Sequence, residues 1–539
     1  MWRKLGIAIM VISLGVFGAA GAHAQLAIPP AGFDMIGFIQ QATRANVGAG
    51  PVPNRLRGGT LTINGIEMIV PNNSIVQMPA AAFSWADLFG PRNSTPVGNY
   101  SPARLVIPAG RTGLALADAP RMHFPSYEVR VVGNILTDPT TGAQTYIVGM
   151  ILPASQQGLN MGSGLINFID YDGTVLGGVG QIPGRFRVGG VPGVSTTGTL
   201  CELNDPAGRY GAAHSPDPRF SCDTSNPTIT TASGYPVGIP FPDQNDPLRP
   251  ATQRPVNTPV TDPFLAPGAP LRYFVVPAPG PGVTPDSRLQ MPLMVGDWVD
   301  FSGTLMKLDP LGNNLPANMF VSVHSLTAHL GIQTTPGSNP AYIRVEAFVF
   351  GSGPTPQPAT APAQETSSRV QLVVFATDPT IDGTGSSPGT HVNAVVVDPA
   401  TGAESELLFP NGDLNDNPKP PNHNGLEMDD TVRGRIRLQL NRNFDTTTGN
   451  KVGPGNYYRE YIVRLGPGTT REVPNVANGL TAGRYRLPMF DYIFAEGAKF
   501  GEPIPPYNFN QFGFLAVGSG RLDGTTGPFV GPLDPFPGP

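Results

Sequence analysis

The sequence predicts an all-β protein of two or three small antiparallel units, barrel- or sandwich-like and of the OB-like or Greek-key kind, with long loops rich in proline and glycine. The chain of 539 residues contains 67 glycines and 62 prolines, and both residues disfavour helices. Apolar and polar residues alternate with a period of two in many short stretches, as half-buried strands require. Turn-forming residues separate these stretches.

The first 24 residues predict a secretory signal peptide. Arg3 and Lys4 give it a positive start, and the apolar run over 5–17 is too short to span a bilayer. Residues 22–24 (Ala-His-Ala) fit a cleavage site, so we expect a secreted or periplasmic chain that begins at Gln25. No later stretch of the sequence has eighteen uninterrupted apolar residues, so we expect no membrane span.

A short amphipathic helix is predicted for residues 33–44. Phe33, Ile36 and the pair Met35 with Ile39 fit one apolar stripe of such a helix. A helix of this length is not stable alone, so we expect it to dock on the first β unit.

Hairpin turns are predicted to connect several of the strands. Residues 60–70 read as two strands around Asn64-Gly65, a strong hairpin signal because both central residues must take positive φ. A turn that begins with Asp and ends with Gly occurs at 138–142 and recurs at 398–402 and 445–449. Its Asp can accept hydrogen bonds from the backbone ahead, and its Gly can take the left-handed exit position. Such hairpins predict antiparallel sheets.

Shifts in composition divide the chain into seven predicted segments. Alternating stretches define the β units, and a Pro/Ala/Thr-rich stretch predicts an extended linker. The segments are 1–24 (signal peptide), 25–184 (N-terminal β domain), 185–290 (Pro-rich insertion), 291–352 (second β unit), 353–368 (linker), 369–470 (third β unit) and 471–539 (Gly/Pro/aromatic-rich C-terminal segment).

The cysteines of the chain, Cys201 and Cys222, both fall in the Pro-rich insertion. Two cysteines in an exported protein usually pair, so we predict a disulfide between them. It would close a loop of about twenty residues and contribute roughly 3 kcal/mol in the chain-entropy model. Metal ligation by two isolated thiols is the less favoured alternative.

One sequence matches the G-x-S-x-G pattern of esterases, at residues 385–389, with His391 close by. That pattern needs a strand before it and a helix after it, whereas turn-forming residues surround it here. The residue after the nucleophile must also donate its backbone N–H to the oxyanion, and Pro388 has none. We interpret this stretch as a Gly/Ser loop.

A stretch of alternating oxygen-bearing side chains is the candidate metal site. Asp413, Asn415 and Asn417 have the spacing of Ca²⁺ ligands. Pro418 and Asn424 stand where such a loop needs Gly and Glu, so a solvated polar loop is the favoured interpretation. We predict no other cofactor.

Two histidines and two tryptophans are further candidates for functional residues. His324 and His329 lie five apart on one predicted strand, so they face opposite sides and share no metal unless a bulge intervenes. Trp85 and Trp298 are predicted to lie in the core rather than to form platforms for sugar rings.

Motifs spread over most of the chain carry one resemblance to known proteins. They are Ser215 to Phe220, Asn226 to Ile229, Gly234 to Pro236, Val295 to Asp297, Ser325 to Ile332, Pro336 to Tyr342 and Gly518 to Gly520, with Gln156-Gln157 and Phe168 to Tyr171 also in common. They resemble a family of uncharacterised secreted proteins of soil bacteria and filamentous fungi. The resemblance implies an exported, β-rich, multi-domain protein and supplies no catalytic residues.

These features favour an exported, non-enzymatic protein of the cell surface or extracellular matrix, with polysaccharide or matrix components as partners. A carbohydrate-binding β-barrel and an exported hydrolase remain alternatives, because sites in β proteins converge in space rather than in sequence. The formal net charge of −5 argues against a nucleic-acid partner.

Overall fold

The structure is a computed structural model that describes most of the β-rich parts of the chain. The described residues are 31–45, 52–78, 82–93, 106–118, 128–152, 160–177, 182–205, 215, 217–222, 227–241, 245–254, 273–309, 312–335, 341–351, 369–377, 390–398, 401–408, 426–430, 435–439, 443–444, 451–452, 458–465, 472–474, 481–488, 491–493, 506–518, 520–522 and 527–538.

The first part of the described chain consists mainly of strands. Their bounds are β1 (Ala31–Arg44), β2 (Gly59–Ile63), β3 (Ile66–Val70), β4 (Ile75–Gln77), β5 (Ala82–Ser84), β6 (Arg92–Asn93), β7 (Val106–Ile107), β8 (Glu128–Thr137) and β9 (Gln144–Leu152).

Five of these strands close into the first barrel. β1 pairs antiparallel with both β2 and β8, β2 pairs with β3, and β8 pairs with β9. The barrel closes where β3 meets β9 in parallel, at Ile69 and Ile147. In this order the third and fifth barrel strands are parallel, which is the arrangement of an OB-type barrel. The predicted all-β, barrel-like class is confirmed.

The predicted turns form where the sequence places them. Asn64 and Gly65 have φ values of 52° and 79°, as a two-residue hairpin between β2 and β3 requires. At the turn after β8, the carboxylate of Asp138 accepts the backbone N–H groups of Thr140 and Thr141, and Gly142 has φ 71°. The repeat of this turn at 445–449 lies outside the described residues.

The predicted helix at 33–44 is wrong, because this segment is the long strand β1. Residues 31–38 pair with β8, and residues 39–44 pair with β2 across a bulge near Ile39. Phe33 and Ile39 point into the barrel. Pairing along both edges gives the segment the backbone hydrogen bonds that a short isolated helix would have had to supply alone.

A second set of strands follows. Their bounds are β10 (Met161–Asp170), β11 (Arg185–Val188), β12 (Thr199–Leu203), β13 (Ile229–Thr231), β14 (Val237–Gly238), β15 (Tyr273–Val276), β16 (Met291–Pro292), β17 (Trp298–Lys307), β18 (Met319–Ala328) and β19 (Gly331–Thr334).

The second barrel repeats the strand order of the first. β10 pairs antiparallel with β11 and β17, β11 with β12, and β17 with β18. The parallel pairing of Cys201 in β12 with Val321 in β18 closes it. The Pro-rich segment 185–290 therefore supplies two barrel strands, and a long irregular connection runs from β12 to β17.

Buried ion pairs hold this irregular connection together. Arg249 is fully buried, and its guanidinium lies 2.6 Å from the carboxylate of Asp246. Arg219 is also fully buried; it bonds the carboxylate of Asp217, and its Nη1 donates to the carbonyl of Thr112 next to the first barrel. Hydrogen-bonded charge pairs thus anchor this connection together with its buried apolar side chains, such as Tyr235 and Ile239.

The remaining strands form two main sheets and several short hairpins. Their bounds are β20 (Ile343–Gly351), β21 (Arg369–Ala376), β22 (Thr390–Val397), β23 (Glu404–Leu408), β24 (Leu426–Asp430), β25 (Arg435–Gln439), β26 (Asn443–Phe444), β27 (Lys451–Val452), β28 (Glu460–Leu465), β29 (Val473–Pro474), β30 (Thr481–Ala482), β31 (Arg484–Pro488), β32 (Asp491–Ile493), β33 (Gly520–Arg521) and β34 (Phe529–Val530). The two sheets have the orders β24-β25-β21-β20-β32 and β23-β22-β28-β31.

Helical turns are short throughout the described residues. The 3₁₀ turns are Asn54–Leu56, Trp85–Leu88, Pro218–Phe220, Ala251–Gln253, Pro316–Asn318 and Phe509–Gln511, and the α-helix α1 is Gly513–Ala516.

The C-terminal segment, residues 506–538, packs against the first barrel and the two later sheets. Phe509 is fully buried in one apolar cluster with Met150 of β9 and Tyr461 of β28. The side chain of Asn134 in β8 donates to the carbonyl of Tyr507 and accepts its backbone N–H, at 2.9 and 2.8 Å. This segment therefore ties the first barrel to the sheets that follow the second.

Candidate functional site

An open patch of side chains lies on the outer surface of the second barrel. We call it the Trp298 face. It consists of Met161, Ser163 and Leu165 on β10, Trp298 and Asp300 on β17, Thr327 on β18, and His329 directly after β18.

Strand register brings these residues together. Leu165 lies opposite Trp298, and Ser163 lies opposite Asp300. Asp300 also lies opposite Thr327 on its other side. Opposed side chains in antiparallel pairs have Cβ atoms about 5 Å apart, so the three strands present one continuous surface. From strand spacing and rise it measures roughly 10 by 13 Å.

Trp298 is the large aromatic side chain of this surface. Its side chain is 47 % exposed, whereas Trp85 is 2 % exposed. The core prediction is therefore correct for Trp85 and wrong for Trp298. The reason is strand alternation, since Val299 and Phe301 on β17 fill the barrel interior and turn Trp298 outward.

A polar pair stands beside the indole ring. His329 Nε2 lies 2.5 Å from Asp300 Oδ2, and both side chains are about half exposed. The backbone N–H of His329 donates to the carbonyl of Trp298 at 2.9 Å, which places the two residues on adjacent strands opposite each other. The face thus combines an apolar ring with hydrogen-bonding groups at its edge.

No nucleophile is bonded to the His329–Asp300 pair among the described residues. Activation of a nucleophile needs a hydroxyl or thiol within hydrogen-bond reach of the imidazole. Among the described residues, no serine, threonine or cysteine side chain bonds the ring of His329. The G-x-S-x-G stretch at 385–389 lies outside the described residues.

His324 and His329 point to different environments. His324 is the extra residue of a β-bulge, since Ser302 pairs with Ser325 and Gly303 pairs with Val323. Its ring is buried and stacks on Phe220 at 5.9 Å between centroids. Burial without a charged partner lowers the pKa of His324 to about 4. His324 is therefore a neutral interior side chain, and it does not join His329 at a metal.

The predicted disulfide between Cys201 and Cys222 is not formed, and both residues are buried free thiols. The Cys222 thiol lies 2.8 Å from the hydroxyl of Thr228, which donates to the carbonyl of His324. Cys201 instead lies opposite Val321 of β18, so each thiol has its own contacts rather than facing the other cysteine.

Burial also makes the two thiols unreactive. It raises the pKa of Cys222 to about 12 and raises the pKa of Cys201 still further. The thiolate is the metal ligand and nucleophile, so these cysteines pack as small apolar side chains.

The candidate Ca²⁺ ligands Asp413, Asn415 and Asn417 lie outside the described residues. Within the described part of the chain, no group of three or more His, Cys, Asp or Glu side chains could hold a metal ion. The Ca²⁺ site stays a prediction.

No described helix is both long enough and apolar enough to span a bilayer.

Comparison with known proteins adds no relative, since no protein-family model, no curated protein and no solved structure matches the chain. The resemblance to secreted proteins of soil bacteria and fungi stays a prediction.

One sequence signal could have located the face. The stretch Trp298 to Phe301 alternates Trp-Val-Asp-Phe directly after the Gly296-Asp297 turn. With Val299 and Phe301 inside a strand of period two, Trp298 and Asp300 must both point outward. No comparable sequence signal shows that residues of β10 join this face, because β10 and β17 pair although they lie more than a hundred residues apart in the chain.

Proposed function

We propose that the protein is an exported, non-enzymatic binding protein that attaches to polysaccharide of a cell surface or extracellular matrix through the Trp298 face. The observation that carries the proposal is a half-exposed tryptophan on a barrel strand, flanked by Asp300, His329 and Ser163. Small barrels of the OB type bind oligosaccharides on the face of their second and third strands, and the Trp298 face would use the first, fourth and fifth strands of the second barrel instead.

The chemistry of the face suits a neutral, hydroxyl-rich ligand. An indole ring offers a broad apolar surface with little conformational entropy to lose, and sugar rings present apolar C–H faces. Asp300 can accept hydrogen bonds from hydroxyl groups, and Ser163 can both donate and accept. Leu165 and Met161 extend the apolar area along β10.

The charge of the face argues against nucleic acid. Its ionisable side chains are Asp300 and His329, and none of its seven residues is lysine or arginine. Binding to a phosphate backbone depends on several cationic contacts. The export part of the proposal is supported by the first 24 residues, which lie outside the described chain.

The test is a binding assay of the full protein on insoluble cellulose, chitin, xylan and β-1,3-glucan, with the bound fraction measured against polysaccharide concentration. We expect saturable binding to at least one of them. Trp298→Ala should weaken that binding at least about 10-fold, as loss of an aromatic anchor does at a binding surface.

Leu315→Ala is the matched control, since Leu315 is exposed and lies in the loop between β17 and β18, away from the Trp298 face. It should bind as the wild type does. Equal binding by Trp298→Ala and wild type, or no binding to any of the four polysaccharides, would overturn the proposal.

A further inference from the structure

A cleft of about 380 Å³ opens at the rim of the first barrel. The residues that line it come from the end of β1, from the 3₁₀ turn after β1 and from the 3₁₀ turn after β5. They are Arg44, Asn54, Arg55, Ala86, Asp87, Phe89 and Pro91. Its volume lies near the lower end of the range for small-molecule sites.

One ion pair lies among the lining residues of this cleft. Arg55 donates from Nε to both carboxylate oxygens of Asp87, at 3.0 Å each. Asp87 also accepts the backbone N–H of Ser84 and completes a capping box at the start of its turn. The negative charge of Asp87 is therefore neutralised within the protein.

Arg44 adds positive charge to the lining of the cleft. It is exposed at the last position of β1, and it forms no ion pair with any described residue. Arg57 lies beside the cleft, where its Nε donates to the side-chain oxygen of Asn54 at 3.3 Å. The cleft is thus cationic, although the whole chain carries a net charge of −5.

We propose that this cleft binds a carboxylate-bearing sugar, one uronic acid unit, with Arg44 as the residue that grips the carboxylate. Guanidinium groups match carboxylates in a two-bond fork. Pro91 is exposed and gives the cleft one apolar side chain for the ring, whereas Phe89 is buried in the core beneath it. The connection between the first two strands of an OB-type barrel, which includes Asn54 and Arg55, is a region these folds use for oligosaccharides.

This site is separate from the Trp298 face, and it differs in charge. Arginines dominate the cleft, whereas the ionisable groups of the Trp298 face are Asp300 and His329. The two sites would therefore select different sugars, acidic at the first barrel and neutral at the second.

The test is calorimetric titration of the full protein with sodium glucuronate and digalacturonate at low salt. Glucose serves as the neutral probe of equal size, and sodium acetate and sodium sulfate serve as simple anions. We expect saturable binding of the uronates, no binding of glucose at the cleft, and much weaker binding of acetate and sulfate.

Variants locate the binding. Arg44→Ala should weaken uronate binding at least about 10-fold, since hydrogen bonds to charged groups contribute strongly. The uronate affinity of Arg44→Lys should lie between those of the wild type and Arg44→Ala, because lysine keeps the charge but cannot form the two-bond fork. Arg288→Ala removes another exposed arginine, from the second barrel's connection, and should bind uronate as the wild type does. Trp298→Ala should do the same.

Absence of saturable uronate binding by the wild type would overturn the proposal, as would equal affinity in Arg44→Ala. Acetate or sulfate binding as tight as uronate binding would overturn the assignment of a sugar acid. Arg44 is exposed, so the unfolding midpoint of Arg44→Ala should match that of the wild type and exclude misfolding as the cause.

Discussion

The two barrels share one strand order, but the outer face of the last hairpin is covered in the first barrel and exposed around Trp298 in the second. In the first barrel the face of β8 and β9 is buried, with Phe509 and Tyr507 of the C-terminal segment packed on it. In the second barrel the corresponding strands β17 and β18 leave Trp298 and Asp300 exposed. The same scaffold therefore serves internal packing at one site and offers an open surface at the other.

A shared bulge shows what differs between the two hairpins. In the first barrel Val132 pairs with Met150 and Gly133 with Val148, which leaves Gly149 as the extra residue. In the second barrel His324 is the extra residue. A side chain at Gly149 would collide with the Phe509 ring, whereas the His324 ring itself stacks on Phe220. The residue at the bulge thus matches the aromatic ring that covers it.

The covered face should contribute far more to stability than the open face. Phe509 is fully buried, so Phe509→Ala should lower the free energy of unfolding by about 3–5 kcal/mol. Urea denaturation of the full protein checks this value. Val517→Ala, at an exposed position of the same segment, is the control and should change it by less than about 0.5 kcal/mol. A loss below about 1 kcal/mol for Phe509→Ala would contradict the packing described.

The histidine at the second bulge should make stability depend on pH. The pKa of His324 is about 4 in the folded protein and about 6.5 when unfolded. The unfolded state therefore binds the proton first, so the free energy of unfolding falls as pH drops from 6.5 towards 4, by up to roughly 3 kcal/mol.

Comparison with His324→Leu isolates this contribution. The variant should lose less stability than the wild type between pH 7 and pH 4, measured by urea denaturation at each pH. Identical pH profiles for the two proteins would show that His324 is not a buried neutral group.

The glycine at the first bulge should resist substitution. A Cβ atom at Gly149 would lie 2.2 Å from the Phe509 ring, so Gly149→Ala should cost about 1–3 kcal/mol through overpacking. The cost should largely disappear when Phe509→Ala is also present, because the two sites are coupled. Additive effects in this double-mutant cycle would contradict the contact.

Trp298→Ala should have the smallest effect on stability. The side chain is half exposed and lies outside the barrel interior, so we expect a change of less than about 1 kcal/mol in the free energy of unfolding. Thermal denaturation of the wild type and Trp298→Ala, with and without urea, measures this change in the free energy of unfolding. A loss comparable to that of Phe509→Ala would show that Trp298 is a structural residue rather than part of an open surface.

Local signals predicted the local structure of this fold. The Asn64-Gly65 hairpin and the turn at Asp138 form where turn chemistry places them, because their geometry depends on adjacent residues alone. The helix prediction for residues 33–44 failed, since the strand conformation of this segment depends on pairing with β8, about a hundred residues away. Barrel closure through Cys201 and Val321 is equally non-local.

The candidate site was only partly predictable for the same reason. Alternation along β17 fixes the direction of Trp298, yet whether an outward residue stays exposed depends on distant segments. Phe509 covers the first barrel from the far end of the chain, and no described segment covers Trp298 in the same way. The cysteine prediction failed because each thiol is buried against different partners, which the sequence does not reveal.

The most direct test of the Trp298 face is acrylamide quenching of tryptophan fluorescence, with and without soluble cello-, chito-, xylo- and laminari-hexaose. The signal of Trp298 is obtained as the difference between wild type and Trp298→Phe. We predict strong quenching of Trp298 in the free protein and protection by at least one of these oligosaccharides, with Trp85 unchanged because it is buried. Full quenching of Trp298 in the presence of every oligosaccharide would contradict the account.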